Sequence, residues 1–210
     1  YDGDADRLIA VDDKGNIVDG DLLISVIAKN FHKKGLLNSN KVVTTVQSNM
    51  GFEKHLDENG IGLIRANVGD RYVLEKMKEH GLNLGGEQSG HIIMLDYNTT
   101  GDGILSSIQL VAAIKESGKS LSELVKDIKL WPQKLVNTVV SKEKKQTWSE
   151  NKELMDFVKN KEKEIEGKGR ILVRASGTEP LIRVMVEAET QEVVDEYVDV
   201  LVKKVQELLG

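Results

Sequence analysis

Cysteine is absent from the 210 residues, which excludes a disulfide, a thiolate metal site and a cysteine nucleophile and leaves oxygen or histidine to hold any metal. No apolar run approaches the roughly 18 to 20 residues that a bilayer span needs, and the opening residues lack the basic and apolar regions of a secretion signal. Cytoplasm is the expected compartment, with no membrane partner. A basic excess is missing too: the formal net charge is −5, with both signs interspersed. A nonspecific phosphate-backbone binder needs a basic face, so no nucleic-acid partner is expected, while small anions stay open.

What is present is ordinary for a globular chain, 40% hydrophobic and 30% charged residues. Domains usually run roughly 100 to 200 residues, so the length allows one large core or two modest ones, and two domains are expected. Tyr1 stands first, and Asp2 to Arg7 form a dense polar motif before any hydrophobic element. The chain is therefore expected to be a piece of a longer one.

Leu8 to Val11 reads as a strand ending at the turn residues Asp13-Lys14-Gly15-Asn16. From Asp21 to Lys34, Leu22, Leu23, Val26, Ile27 and Phe31 recur at helical spacing before Gly35. Strands are expected at Lys41–Val46 and Gly62–Arg65, and helices at Met50–Glu58 and Arg71–His80. Leu82–Leu84 and His91–Leu95 read as short strands around a glycine-rich loop. Asp102 opens a helix with Ile104, Ile108, Val111 and Ala112 on one side, and Ser120 with Glu123 forms a capping box. The alternation from Asp19 to about Lys129 implies a three-layer α/β domain with a mixed, mainly parallel sheet. After Trp131-Pro132 the order becomes strand 134–140, helix 149–165, strand 170–175, strand 181–188 and helix 191–209, with Lys142 to Lys145 read as solvated loop. That is a smaller α+β domain, a sheet covered by two helices.

Three loops carry chemistry. In Asp2-Gly3-Asp4-Ala5-Asp6-Arg7 the acids alternate, so their carboxylates can converge on one hard divalent cation, and Mg²⁺ is favoured. A calcium helix-loop-helix would want glycine where Arg7 stands; a solvated acidic turn is the plain alternative. In Gly85 to His91, Glu87 and Ser89 can meet vicinal hydroxyls, against an incidental glycine-rich turn. Arg174-Ala175-Ser176-Gly177-Thr178-Glu179-Pro180, with Arg183, offers two guanidiniums and two hydroxyls to a phosphate; a plain hairpin is the alternative. An aspartyl phosphatase with an Asp-x-Asp nucleophile fits Arg7 and the distant phosphate loop poorly. His32, His55 and His80 have no ligand-spaced partner.

Together the three loops, in this order, resemble the metal, sugar and phosphate loops of the α-D-phosphohexomutases. Gln88 between Glu87 and Ser89, and the run Val68-Gly69-Asp70-Arg71-Tyr72-Val73, resemble the phosphoglucosamine mutase branch more than the phosphomannomutase or phosphoglucomutase branch. The resemblance implies a four-domain parent interconverting glucosamine 6-phosphate and glucosamine 1-phosphate on the way to UDP-N-acetylglucosamine and the bacterial cell wall. Residues 1–18 would end its second domain, 19–130 would be its third α/β domain and 131–210 its carboxy-terminal domain. It further implies Mg²⁺ on Asp2, Asp4 and Asp6, Arg7 near a phosphoserine, the sugar on Glu87 and Ser89, and a phosphate on Arg174, Ser176, Gly177, Thr178 and Arg183. The partners implied are the hexosamine phosphate and the amino-terminal half of the parent; a homodimer stays open. The family's active serine sits in a Thr-Ala-Ser-His-Asn type sequence that is missing here, and Ser25, Ser39, Ser48, Ser106 and Ser107 lack its pattern. The chain alone is expected to be inactive, which makes a noncatalytic sugar-phosphate binding module the rival reading of the piece itself.

Overall fold

The computed structural model describes residues 1–210 and divides them into two compact units, Tyr1–Leu130 and Trp131–Gly210. In the first unit β1 (Ala10–Val11) and β2 (Ile17–Val18) pair as an antiparallel ribbon. The turn between them is closed by Asp12, whose carboxylate accepts the Lys14 and Asn16 amides at 2.9 and 2.8 Å. The chain continues through α1 (Gly20–Lys33), β3 (Lys41–Thr45), α2 (Met50–Glu58), β4 (Gly62–Ala66), α3 (Asp70–His80), β5 (Leu84–Gly86), β6 (Ile92–Met94), α4 (Gly103–Ser117) and α5 (Leu121–Val125). The sheet order is β4-β3-β5-β6, parallel except for β6, which returns antiparallel beside β5.

Side chains on successive strand residues point to opposite faces, and here both faces are covered. Val42, Ile92 and Met94 join the core under α1 and α2, with Leu23, Ile27, Phe52 and Leu56. Val43 and Ile93 pack on the other face with Val73 and Met77 of α3. In β3 the buried residues Val42, Val43, Thr44 and Thr45 are all β-branched, as suits a strand covered on both sides. The result is three layers with a mainly parallel sheet.

The second unit holds β7 (Gln133–Val139), α6 (Lys142–Gln146), α7 (Lys152–Glu164), β8 (Gly169–Ala175), β9 (Leu181–Ala188) and α8 (Gln191–Leu209). Its antiparallel sheet has β9 in the centre. Ile182, Val184 and Val186 face Val194, Val198, Leu201 and Val205, the single stripe of α8, in one core with Leu154 and Val158 of α7. Glu187 is fully buried and meets Arg170 at 2.6 Å, so its charge is paired.

Two sequence expectations are corrected, the strand at Leu82–Leu84 and the loop at Lys142 to Lys145, and two features are added. The strand expected at Leu82–Leu84 runs from Leu84 to Gly86; two glycines fit because a Cβ on Gly85 would strike the Val43 carbonyl at 2.8 Å and one on Gly86 would meet the Ile24 side chain at 3.1 Å. Ile17–Val18 is a strand, although only its partner was expected. Lys142 to Lys145 lies in a helix rather than a loop, because the Ser141 side chain accepts the Lys144 amide at 3.2 Å and caps it. The side of α4 carrying Ile104, Ile108 and Val111 is exposed, and Ser106, Leu110 and Ala113 face the core instead.

The capping box at α5 forms: the Glu123 carboxylate accepts the Ser120 amide at 2.9 Å while the Ser120 hydroxyl accepts the Glu123 amide at 3.4 Å. Ser120→Ala is expected to cost about 1 kcal/mol of unfolding free energy, measured by urea titration. No loss would mean that α5 is held by Leu121 packing alone.

Candidate functional site

In open parallel sheets ligands bind beyond the carboxyl ends of the strands. The first unit has its polar cavity there, about 390 Å³, lined by Arg7, Thr45, Gln47, Val68, Glu87, Gln88 and Ser89. Thr45 ends β3, Val68 follows β4 and Glu87 to Ser89 follow β5. Arg7, Glu87 and Ser89 were singled out from sequence as carriers of chemistry, and they share one wall. Thr45, Gln47 and Val68 were not, because nothing local marks a strand-end residue as facing a cavity.

The acidic loop is sewn onto the glycine-rich loop. Arg7 and His91 form an antiparallel bridge, and the Leu8 amide donates to the Gly90 carbonyl at 3.1 Å. His91, buried, brings Nε2 to 3.5 Å from Asp6 Oδ2. A further tie runs from the Gly103 amide, at the start of α4, to the Ala5 carbonyl at 2.9 Å. Ala5 itself has φ 59°, a left-handed turn that helps bring its flanking acids together.

One carboxylate oxygen from each of Asp2, Asp4 and Asp6 lies within 4.8 Å of the others. Oxygens around a single Mg²⁺ or Ca²⁺, bonded at roughly 2.0 to 2.6 Å, must lie about this close. Burial pushes the Asp6 carboxyl up, aided by a hydrogen bond with Asp2 and by the charges of Asp4 and Asp2. Burial also acts against the charge on Asp2, yet the Arg7 amide and the Asp6 side chain hold Asp2 below its ordinary value. Asp6 Oδ1 is buried without a hydrogen bond, its nearest cation being Arg7 Nε at 3.8 Å. Carboxylates crowded in this way call for a proton or a cation, so the residues fit a hard divalent ion.

Glu87 is fixed by the Gly69 amide, which donates to Oε1 at 3.0 Å. Glu87 is among the residues lining the cavity. The Gln88 side chain donates to Asp19 at 3.2 Å, and its carbonyl accepts the Gly20 amide at 2.9 Å, so the loop rests on the first turn of α1. A Cβ on Gly20 would lie 2.8 Å from the Gln88 carbonyl, and only glycine allows this approach.

In the second unit the loop 176–180 joins β8 to β9. Arg174 and Arg183 are directly opposite in the antiparallel register. Burial pulls the Arg174 guanidinium below its ordinary value, and the Arg183 charge adds to it. Arg183 Nη2 reaches the buried Ser176 hydroxyl at 3.5 Å and Glu179 at 3.7 Å, while its Nε is buried without a partner. Thr178 is exposed, and a Cβ on Gly177 would meet nothing within 4 Å, which leaves its backbone open to an approaching group. Two like charges facing each other with an unused donor have the chemistry that an anion would satisfy.

A family model described as phosphoglucomutase/phosphomannomutase, alpha/beta/alpha domain III, matches residues 19–131, and the corresponding C-terminal domain model matches residues 135–204. The chain belongs to the phosphoglucomutase/phosphomannomutase family. A phosphoglucosamine mutase of Fusobacterium nucleatum is 58% identical over 194 residues, covering 92% of this chain and 43% of that protein. One from Streptococcus pneumoniae is 54% identical over all 210 residues, which make up 47% of it. The chain thus spans about half the length of the curated relatives it matches. The N-acetylphosphoglucosamine mutase of Aspergillus fumigatus, solved in complex with GlcNAc-6P and magnesium, shares the fold with a TM-score of 0.80 at 20% identity, covering all of this chain and 48% of that one. No helix is long and apolar enough to cross a membrane.

Proposed function

We propose that this chain is the carboxy-terminal part of a cytoplasmic phosphoglucosamine mutase that interconverts glucosamine 6-phosphate and glucosamine 1-phosphate. One observation carries the reading: three convergent carboxylates and the loop bearing Glu87 and Ser89 are joined backbone to backbone through Arg7–His91 and Leu8–Gly90, with Arg7, Glu87 and Ser89 lining one cavity. The relatives named phosphoglucosamine mutase favour this branch. Residues 1–18 would close the parent's second domain, 19–130 form its third and 131–210 its last. The exposed apolar side chains of Val11 and Ile17 on the ribbon, and of Ile104, Ile108 and Val111 on α4, would then meet the amino-terminal half.

Asp2, Asp4 and Asp6 would hold Mg²⁺, which draws charge from phosphoryl oxygens when bound. Arg7 would lie beside the phosphoserine supplied by the other half. In the intact enzyme the serine O–P bond breaks as the free sugar hydroxyl bonds to phosphorus, its proton passing to a base, and a bisphosphate forms. The sugar turns over, and the other phosphate returns to the serine. Glu87 and Ser89 would orient the sugar by its hydroxyls in both poses. Arg174, Ser176, Gly177, Thr178 and Arg183 would hold whichever phosphate is not reacting, so positioning and charge stabilisation dominate.

The test is a coupled mutase assay on the purified chain with Mg²⁺, glucosamine 6-phosphate and a bisphosphate activator, alongside calorimetric titration of Mg²⁺ and the sugar phosphate. Binding without turnover, with turnover restored by the separately expressed amino-terminal half of a relative, is the expected result. Turnover by the chain alone would mean that one of its own serines is the nucleophile. Absence of any binding would sink the site.

A further inference from the structure

One acid outside the metal loop is tied to a segment that lines the cavity and has no part in the scheme above. Asp21, in the first turn of α1, is fully buried. Its Oδ2 accepts the backbone amide of Asn49 at 2.8 Å, while Oδ1 is buried with no hydrogen bond of its own. Asn49 caps α2 through the Gly51 amide at 2.8 Å, so Asp21 grips the point where the 45–49 segment becomes a helix. The same segment is held from its other side by Arg65 of β4, whose Nη1 donates to the carbonyls of Thr45 at 3.2 Å and Ser48 at 2.8 Å. Arg65 is itself anchored to Glu53 of α2. Thr45 and Gln47, between these two grips, line the cavity. The residues immediately before Asp21 do the equivalent work for the facing loop: Asp19 and the Gly20 amide hold Gln88. The first turn of α1 is therefore one rigid platform under two cavity walls.

We infer that Asp21 is a positioning residue, which sets the wall formed by Thr45 and Gln47 against the Glu87–Ser89 wall through the hydrogen bond it accepts from Asn49. Its functional consequence rests on reading the cavity as a sugar-phosphate site. Burial, the largest influence, pushes the Asp21 carboxyl up to about 7; the Asn49 amide, the Ser48 hydroxyl and Arg65 favour its charge, and Asp19 opposes it. The grip is thus charge-assisted above neutrality and weaker below it. The stability linkage runs the other way. A carboxyl raised above its unfolded value contributes stability that is present at low pH and lost as pH rises through about 7. Positioning is tightest where this group no longer helps the fold.

The experiment is carbon and amide NMR of the labelled 210-residue chain across pH 5.5–8.5, with calorimetric titration of glucosamine 6-phosphate in Mg²⁺ for the wild type, Asp21→Asn and Asp21→Ala. The amides of Gln47 and Asn49 are expected to titrate with the Asp21 carboxyl carbon and to become pH-independent in Asp21→Asn. Asparagine keeps an acceptor for the Asn49 amide, so at pH 8 Asp21→Asn should bind within about threefold of wild type and Asp21→Ala about tenfold more weakly. The phosphate of the ligand also titrates, near 6, but identically for every variant, so affinity ratios isolate Asp21. Loop amides that ignore Asp21, or Asp21→Ala binding like wild type, overturn the inference. If no variant binds the sugar phosphate, the site reading fails, and the amide titration still decides whether Asp21 positions the segment.

Discussion

Replacing Arg174 and Arg183 together by methionine will abolish phosphate binding by the carboxy-terminal unit and, at the same time, stabilise it. The two guanidiniums are cross-strand neighbours on β8 and β9, where like charges directly opposite cost up to about 1 kcal/mol. Only Glu179, at 3.7 Å and largely exposed, offsets the Arg183 charge. Methionine retains the apolar length of the stem and removes the buried, unpartnered Nε of Arg183. Each guanidinium lost from a phosphate removes charge-assisted hydrogen bonds of roughly 1.5 to 3 kcal/mol, so the pair should weaken inorganic phosphate or sugar-phosphate binding by about a hundredfold or more. Thermal melting of the double variant with and without 20-fold excesses of phosphate checks both halves. Wild type should melt higher when phosphate is added; the variant should melt higher than wild type without it and ignore the ligand. A variant that melts lower would show that the arginines serve packing, and the cradle reading would go.

Elements whose limits are written in local chemistry were legible. Met50–Glu58 starts after an asparagine that caps it, and in Gln191–Leu209 the spaced residues Val194, Val198, Leu201 and Val205 all go to the core. The alternating acids of Asp2, Asp4 and Asp6 do converge, because turn backbone and small neighbours suffice for that. What the sequence hid depends on tertiary contact. Gly85 and Gly86 look like loop residues until the close approach of Val43, Met77 and Ile24 is known, and then they are the only residues that fit the strand. The stripe Ile104, Ile108 and Val111 has helical spacing, but periodicity gives a face and not its destination; the core lies on the side of Leu110 and Ala113. Thr45, Gln47 and Val68 reach the cavity only because three parallel strands end side by side, a fact of sheet order. Asp21 was hidden by its helix, within which an acid in the first turn reads as an ordinary favourable charge.

Gly90→Ala tests the joint between the acidic loop and the sugar loop, and its expected effect is the largest of any single substitution considered. Gly90 has φ +92°, and a Cβ there would collide with the Leu8 carbonyl, whose own amide donates to the Gly90 carbonyl at 3.1 Å. Both obstacles are backbone, so no rotamer can relieve them. Gly118→Ala is the matched control: Gly118 ends α4 at φ +66°, with nothing within 4 Å of its Cβ position. There alanine meets only the left-handed penalty, about 1 kcal/mol. At Gly90 that penalty combines with a steric clash that can be relieved only by parting Leu8 from the loop, and a total near 4 kcal/mol is expected by urea unfolding. Because the parting moves Arg7 and Asp6 away from His91, Mg²⁺ and sugar-phosphate affinities should fall together in calorimetry, while Gly118→Ala leaves both unchanged. Equal losses of stability in the two variants would mean that the loops are not locked together as described, and a fall in only one affinity would mean that the metal and sugar sites are built independently.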